Sequence, residues 1–154
     1  MPLLEKYLYV KHSTIPGAGK GLFTRKTIPK GKRIIEYKGN VTTWKEAEHK
    51  DGLNAYIYYV NRYHVIDASN NKKSLARYAN DAKGSKKMNA LTNNCKYEED
   101  DTKVFIVSKK EIPANSEILV GYGKQYWDVI DSNRKITEKE RKKSRRKSAK
   151  RHLV

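Results

Sequence analysis

"IPGAGKGLFT", residues 15–24, decides the fold class. Four of its ten residues are Gly or Pro, and three glycines alternate at positions 17, 19 and 21. The stretch then runs directly into Leu22-Phe23-Thr24, a β-type sequence. Glycines spaced in this way leave a backbone that another group can approach closely, because no Cβ stands in the way. The dinucleotide pattern G-x-G-x-x-G opens a helix after a strand. Here Gly17-Ala18-Gly19 would need glycine at 22, which is Leu22, and a strand follows instead of a helix. The phosphate-cradling pattern G-x-x-x-x-G-K-[ST] fails as well. Lys20 is followed by Gly21, and position 14 is Thr14. On local sequence alone a plain hairpin turn stays open.

Working outward, the chain reads as short strands and close turns. Leu8-Tyr9-Val10 is a β-type run. Pro29 and Gly31 mark a turn, since Pro presets φ and Gly tolerates positive φ. Arg33 to Tyr37 reads as a strand ended by Gly39-Asn40. Thr43-Trp44-Lys45-Glu46 has capping-box spacing and predicts a short helix from Thr43, ended by Asp51-Gly52. Tyr56–Val60 and Tyr63–Ile66 predict two strands joined by a tight turn at Asn61-Arg62. Residues 67–94 read as irregular and polar. Cys95 stands at the start of a strand, and Glu98 to Asp101 read as an acidic turn. Lys103–Val107 and Ile118–Val120 predict strands with a turn at Pro113-Ala114-Asn115, and Lys124 to Ile130 predict one or two helical turns. Helices do not alternate with strands, so a doubly wound parallel sheet is excluded in favour of a mostly β domain of several small sheets.

The chain has 154 residues, enough for one domain with a modest core. The eleven tyrosines supply much of its aromatic bulk. No apolar run approaches the roughly 18 residues of a membrane span. The first residues lack the pattern of a secretory signal. A soluble, intracellular protein with no membrane partner is expected. The single Cys95 excludes an internal disulfide framework and a cysteine-cluster zinc site. His12, His49, His64 and His152 never fall three or four apart, so no metal is expected.

Charge is uneven. Residues 134–151 hold eleven Lys/Arg and two Glu, a net +9, leaving +8 of the chain's +17 for the rest. "ERKKSRRKSAKR", residues 140–151, has no apolar period with which to order itself by burial. A boundary is placed near Asp131-Ser132-Asn133, giving a domain over 1–131 and a basic tail over 132–154, helical or disordered. The tail is either a solvated segment or a contact for nucleic acid, an acidic partner or nuclear import.

Three further stretches carry the functional reading: "RYAND" (77–81), "NNCKY" (93–97) and "EILVGYGKQYW" (117–127). In the last, Tyr122 stands between Gly121 and Gly123, stripped of flanking side chains, so its ring either meets a ligand or fills a core gap. Together with "GAGKGLFT", these stretches resemble, in order, the motifs of the SET-domain family of protein lysine methyltransferases. "AYIYYVNRYHVIDA" (55–68) resembles the family's middle segment, and "EIPANSEI" (111–118) its Ile-Pro-x-Gly-Glu-Glu turn. The resemblance covers roughly residues 6–130. It is to a small, viral- or bacterial-type member without cysteine-rich flanks.

The resemblance implies a fold of several small β-sheets with short helices and a knot-like C-terminal crossing. It also implies a methyl transfer from S-adenosylmethionine to a lysine of a basic protein such as a histone. By matching position, Gly19, Lys20, Gly21, Tyr56, Arg77, Asn80, Asp81, Tyr122 and Trp127 would hold the cofactor. Tyr122 would be the catalytic tyrosine, with Tyr56 beside it. Tyr56, Tyr58, Val120 and Tyr122 would line the lysine channel. Core packing stays open for each of these tyrosines. Asp81 departs from the family, which places His there, and the connection Ala82–Thr92 is longer than usual. Val120 stands where many members carry Phe or Tyr, a hint of di- or trimethylation. A zinc-bound C-terminal cap is absent, so residues 124–130 or the tail would complete the channel. The location would be the nucleus in a eukaryote or the cytoplasm in a bacterium. Two other readings stay open. One is an inactive SET-like binding module tethered to nucleic acid through residues 134–151. The other is a small basic nucleic-acid-binding protein.

Overall fold

The computed structural model describes residues 3–47, 56–71, 73–84 and 92–122, all within one compact unit. Among the described residues, ten strands form three small sheets. β1 (Leu8–His12), β2 (Lys20–Thr24) and β9 (Glu117–Ile118) make the first, in the order β1-β2-β9. β3 (Arg33–Glu36), β7 (Cys95–Asp100), β8 (Lys103–Ser108) and β10 (Val120–Gly121) make the second, in the order β10-β7-β8-β3. β4 (Asn40–Thr42), β5 (Ile57–Asn61) and β6 (His64–Asp67) make the third, in the order β4-β6-β5. The described helices are single turns: Glu5–Tyr7, Leu75–Tyr78 and Ala82–Gly84. The chain is mostly β, as its sequence predicts.

Period-two patterning places the core. In the β1–β2 pair, Leu8 faces Thr24 and Val10 faces Leu22 on the core side; Tyr9, opposite Phe23, and Lys11, opposite Gly21, lie on the other face, where Phe23 is buried beneath Tyr9 and Lys11. Leu22, Ile34, Val65, Val104, Ile106, Ile112, Ile118 and Val120 are wholly buried, and seven of them share one core cluster. Burial of each such side chain contributes about 1.5–3 kcal/mol. The turns at 28–31 and 112–115 are tied together by the Ile28–Ile112 bridge, while Ser108 Oγ donates to Pro29 O at 2.6 Å. Gly31 in the first turn takes φ +82°, the region its sequence reading required.

Several element boundaries differ from expectation. β3 ends at Glu36, before Gly39-Asn40 as expected, but Asn40 opens a further strand, β4, that the sequence reading did not include; at Gly39 a Cβ would collide with the Asp67 carbonyl. At Thr43 the cap forms, with Glu46 N–H donating to Thr43 Oγ1 at 3.3 Å, but residues 44–46 make a turn; the expected helix beyond 47 falls largely outside the described residues. The β5–β6 turn sits at Arg62-Tyr63, one residue later than expected, at a register shift between Tyr59 and Asn61. β7 runs through Asp100, and the acidic turn is confined to Asp101-Thr102, with Asp101 at φ +57°. Residues 67–94 are not wholly irregular, since they hold the turns at 75–78 and 82–84.

The expected strand Ile118–Val120 divides at Leu119. Before it, β9 pairs antiparallel with β2; after it, β10 pairs parallel with β7. Leu119 itself bridges Asn80. The segment is bonded by both ends of the 80–95 connection: Val120 N–H donates to Asn80 O at 2.9 Å, and Asn94 and Cys95 N–H donate to Leu119 O at 3.0 and 2.9 Å. This passage between the two ends is the C-terminal crossing, and it brings Tyr122 against the core cluster.

Candidate active site

Tyr122 lies directly after β10. Its hydroxyl donates to Ala79 O at 2.6 Å and its N–H donates to Asp81 Oδ2 at 2.8 Å. Its ring stacks on Tyr97, with centroids 6.4 Å apart. Tyr97 in turn meets Tyr58 edge-on at 5.1 Å and Tyr37 edge-on at 5.9 Å. Four tyrosines from the β7, β5, β3 and β10 regions thus gather into one aromatic group. Burial raises the Tyr97 phenol well above its usual range, with its tyrosine neighbours adding to the effect. Tyr58 is also raised, by burial first and then by its 3.0 Å hydrogen bond to Glu99 Oε1.

Asp81 is 5% exposed. Its Oδ1 accepts from Asn93 Nδ2 and from Lys83 N–H, both at 2.9 Å, while Oδ2 takes the Tyr122 N–H. Asn93 closes the lock by accepting the Ala82 N–H on its Oδ1 at 2.8 Å. The residue that departs from the family pattern is therefore a fully engaged carboxylate that registers Tyr122. Burying it requires this many donors, because an unsatisfied buried charge costs several kcal/mol.

The glycine turn is built around a second buried carboxylate, Glu117, 6% exposed. Glu117 Oε2 accepts from Ser13 Oγ at 2.7 Å; Oε1 accepts from Thr14 N–H at 2.9 Å and Thr14 Oγ1 at 2.6 Å. Asn80 Nδ2 donates to Lys20 O at 3.0 Å and reaches Glu117 Oε2 at 3.4 Å. A Cβ on Gly21 would collide with Glu117 Oε2, so this glycine is required by a contact inside the chain. Gly19 differs. It takes φ +72°, and an added Cβ there would meet nothing within 4 Å. Lys20 between them is exposed.

The other expected site residues are placed as follows. Arg77 stands over the Tyr56 ring at 4.2 Å and the Tyr78 ring at 5.3 Å, with Nη1 donating to Ser69 O at 3.0 Å. Arg77 therefore fastens Tyr56 to the 69–78 segment, and its buried Nε has no hydrogen-bond partner in the structure. Tyr56 O accepts the Tyr37 hydroxyl at 2.6 Å, which connects it to the aromatic group. Val120 is wholly buried in the core cluster, so it faces the core and not an open channel wall. Trp127 and the expected turns over 124–130 lie outside the described residues. Sequence reading missed Tyr97 and Asn93. The signal for Tyr97 was present: it lies two residues after Cys95, on β7, inside a quoted motif. Among the described residues, no three His, Cys, Asp or Glu side chains gather to hold a metal. A separate cavity of about 220 Å³, lined by Leu3, Ile35, Lys73 and Leu75 among others, shares no residue with the Tyr122 group.

This combination of glycine turn, crossing strand and pinned tyrosine is matched by a known family. The family model described as "SET domain" matches residues 19–123. The chain belongs to the SET-domain family. Its relatives include "N-lysine methyltransferase KMT5A-A" of Danio rerio, 23% identical over 132 residues that cover 77% of this chain and 36% of that protein. "Histone-lysine N-methyltransferase ASHH1" of Arabidopsis thaliana is 30% identical over 136 residues, covering 80% of this chain and 26% of that protein. The SET domain here thus spans about a third or less of the length of these relatives. Among solved structures, the "Methyltransferase domain of human PR domain-containing protein 2" superposes with a TM-score of 0.57 at 22% identity, covering 80% of this chain and 79% of that one. That likeness establishes the shared fold.

Proposed function

We propose that this SET domain is a protein-lysine N-methyltransferase that uses S-adenosylmethionine and acts on a lysine of a basic protein such as a histone. The observation that carries the reading is the Tyr122 arrangement: a hydroxyl pinned on Ala79 O at the edge of an aromatic group, reached by a strand that also borders the glycine turn. The fit to the cofactor rests on the turn. Gly17 and Gly19 present backbone with open space where a Cβ would stand, and Lys20 adds a positive charge suited to a carboxylate. When bound there, the cofactor would supply a methyl group on a sulfonium.

The remaining chemistry belongs to the chain. A lysine amine must lose its proton to act as a nucleophile. The aromatic surface that Tyr58 and Tyr122 present around the buried Tyr97 would favour the neutral amine by excluding water. Tyr122 gives its own proton to Ala79 O, so the phenolic oxygen keeps its lone pairs for the reacting centre. Alignment of nitrogen, carbon and sulfur is the main task, and positioning of this kind supplies roughly 7–11 kcal/mol. Asn80 holds the turn to Glu117 on one side of the crossing, and Asp81 holds Tyr122 on the other. The complete bonding of Asp81 speaks against the reading of a decayed, inactive module.

The test is transfer of radiolabelled methyl to a panel of basic proteins. The full chain is expected to label at least one of them, and Tyr122→Phe to abolish or strongly reduce labelling while the protein stays folded. Unchanged labelling by the variant would overturn the assignment of this hydroxyl. Calorimetry showing no binding of S-adenosylmethionine to folded protein would overturn the function itself.

A further inference from the structure

One face of the β1–β2 pair gathers rings and cations apart from the Tyr122 group. The strand register places Tyr9 opposite Phe23 and Lys11 opposite Gly21. Arg25 N–H donates to Tyr7 O at 2.8 Å, which continues the same pairing. Tyr9, Lys11 and Phe23 therefore share the face turned away from Leu8, Val10 and Leu22, Arg25 joins them over the Tyr9 ring, and Tyr7 stands at the end of the pair in the helical turn before β1. Four cations lie across its rings. Arg25 is 5.2 Å from the Tyr9 centroid, and Lys11 is 4.5 Å from that of Phe23. Lys6 and Lys26 approach the Tyr7 ring at 5.1 and 5.0 Å. All four are exposed, and none pairs with a described carboxylate; Arg33, by contrast, holds Glu98 and Asp100.

Lys11 and Arg25 on this face and Lys6 and Lys26 at its end repel one another, since Glu117, opposite Phe23 in β9, is already taken up by Ser13 and Thr14; a polyanion relieves that repulsion. The rings hold the long side chains in place. This reduces the rotamer entropy lost on binding. We infer that the outer face of β1–β2 binds the phosphate backbone of nucleic acid. Phosphate contact is favoured over base contact, because Phe23 is 1% exposed and its ring is already covered by Tyr9 and Lys11. Binding of this kind is independent of sequence. An anionic membrane is a poorer fit. The exposed large apolar side chains Val41, Trp44, Tyr59 and Tyr63 belong to other parts of the fold, so this face has nothing to insert into lipid. The basic tail adds to the attraction without being required for it.

The experiment uses the full chain and a DNA duplex of arbitrary sequence, with affinity measured across a salt series. Replacement of Lys6, Lys11, Arg25 and Lys26 by Gln is compared with a charge-matched control in which Lys38, Lys45, Lys73 and Lys103, all exposed elsewhere, become Gln. Each lost phosphate contact lowers the slope of log affinity against log salt by about 0.9, so the first variant should lose about 3 to 4 in slope and at least about tenfold in affinity. The control should lose less than about 1 in slope. Equal losses in the two variants would overturn the proposal, leaving net charge or the tail as the cause. Polyglutamate or phosphatidylserine vesicles that bind as tightly as the duplex, with the same difference between variants, would also overturn it. If the fourfold variant fails to fold, Lys6→Gln with Lys26→Gln, outside the Tyr9–Phe23 stack, should still remove about 2 in slope, and no loss would overturn the assignment.

Discussion

Two buried carboxylates frame the candidate site, and they are held in different ways. Glu117 is bonded by Ser13 and Thr14, more than a hundred residues away in sequence, and passes through the space left by Gly21. Asp81 is bonded by donors from its own connection, Lys83 N–H and Asn93, together with the Tyr122 N–H. The first carboxylate joins the beginning of the domain to its end. The second joins the longest connection to the catalytic candidate. Glu117 therefore governs whether the glycine turn exists, whereas Asp81 governs where the tyrosine stands.

The harshest way to break this comparison is Glu117→Ala. It leaves three donors of the 13–14 loop without their acceptor; half-buried Ser13 bears most of the cost, while the exposed Thr14 donors turn to water. A loss of about 2–3 kcal/mol is expected, read as a lower urea midpoint, together with loss of cofactor binding. Asp81→Asn comes next. The amide keeps one acceptor but turns a donor toward either Tyr122 N–H or the Asn93 amide. A cost of about 2 kcal/mol is expected, with labelling reduced more strongly than cofactor affinity. Restoring the family's residue with Asp81→His should not rescue labelling unless Asn93 is changed as well, because imidazole cannot accept all three hydrogen bonds. Gly21→Ala tests the Glu117 side alone. The new methyl meets a fully bonded carboxylate, and about 1–3 kcal/mol should be lost, the usual range for overpacking.

Raising the pH sharpens the same contrast by loading neither carboxylate. Burial pushes the Cys95 thiol up to about 12 and raises the Tyr58 and Tyr97 phenols. In the unfolded chain these groups release protons from about pH 8.5 to 10. Their contribution to stability is thus complete below that range and falls as pH climbs toward the folded values. Denaturant midpoints should decline steadily above about pH 9, and a flat profile would contradict the burial of this group. Tyr58→Phe has the smallest expected effect. It removes one partly exposed hydrogen bond to Glu99, about 0.5–1.5 kcal/mol, and leaves the ring contacts with Tyr97 in place.

The β1–β2 hairpin and the 28–31 turn were legible because each rests on local chemistry, alternation and a positive-φ glycine; the gathering of motifs at Tyr122 was legible only through the family resemblance, since a tyrosine between glycines by itself fits a core gap equally well. The lock on Asp81 was not. A lone Asp beside Asn reads as a turn residue, and its meaning depends on Asn93 arriving from twelve residues away. The division of the strand at Leu119 was equally hidden, since Ile118-Leu119-Val120 carries no breaker; only pairing with two different sheets separates its halves. Gly21 was read as a site for an external ligand, but the space it leaves is filled from within by a side chain 96 positions later in the sequence.

The passage of residues 117–122 between Asn80 and Asn94 also constrains the order of synthesis. A nascent chain released only as far as β8 has its hairpins but neither carboxylate lock complete, because Glu117 and Tyr122 are still unmade. The domain must therefore mature late on the ribosome, with its early strands waiting for their final partner. Such a chain exposes unpaired sheet edges during translation, and its yield in the cell should depend on how quickly those last residues emerge.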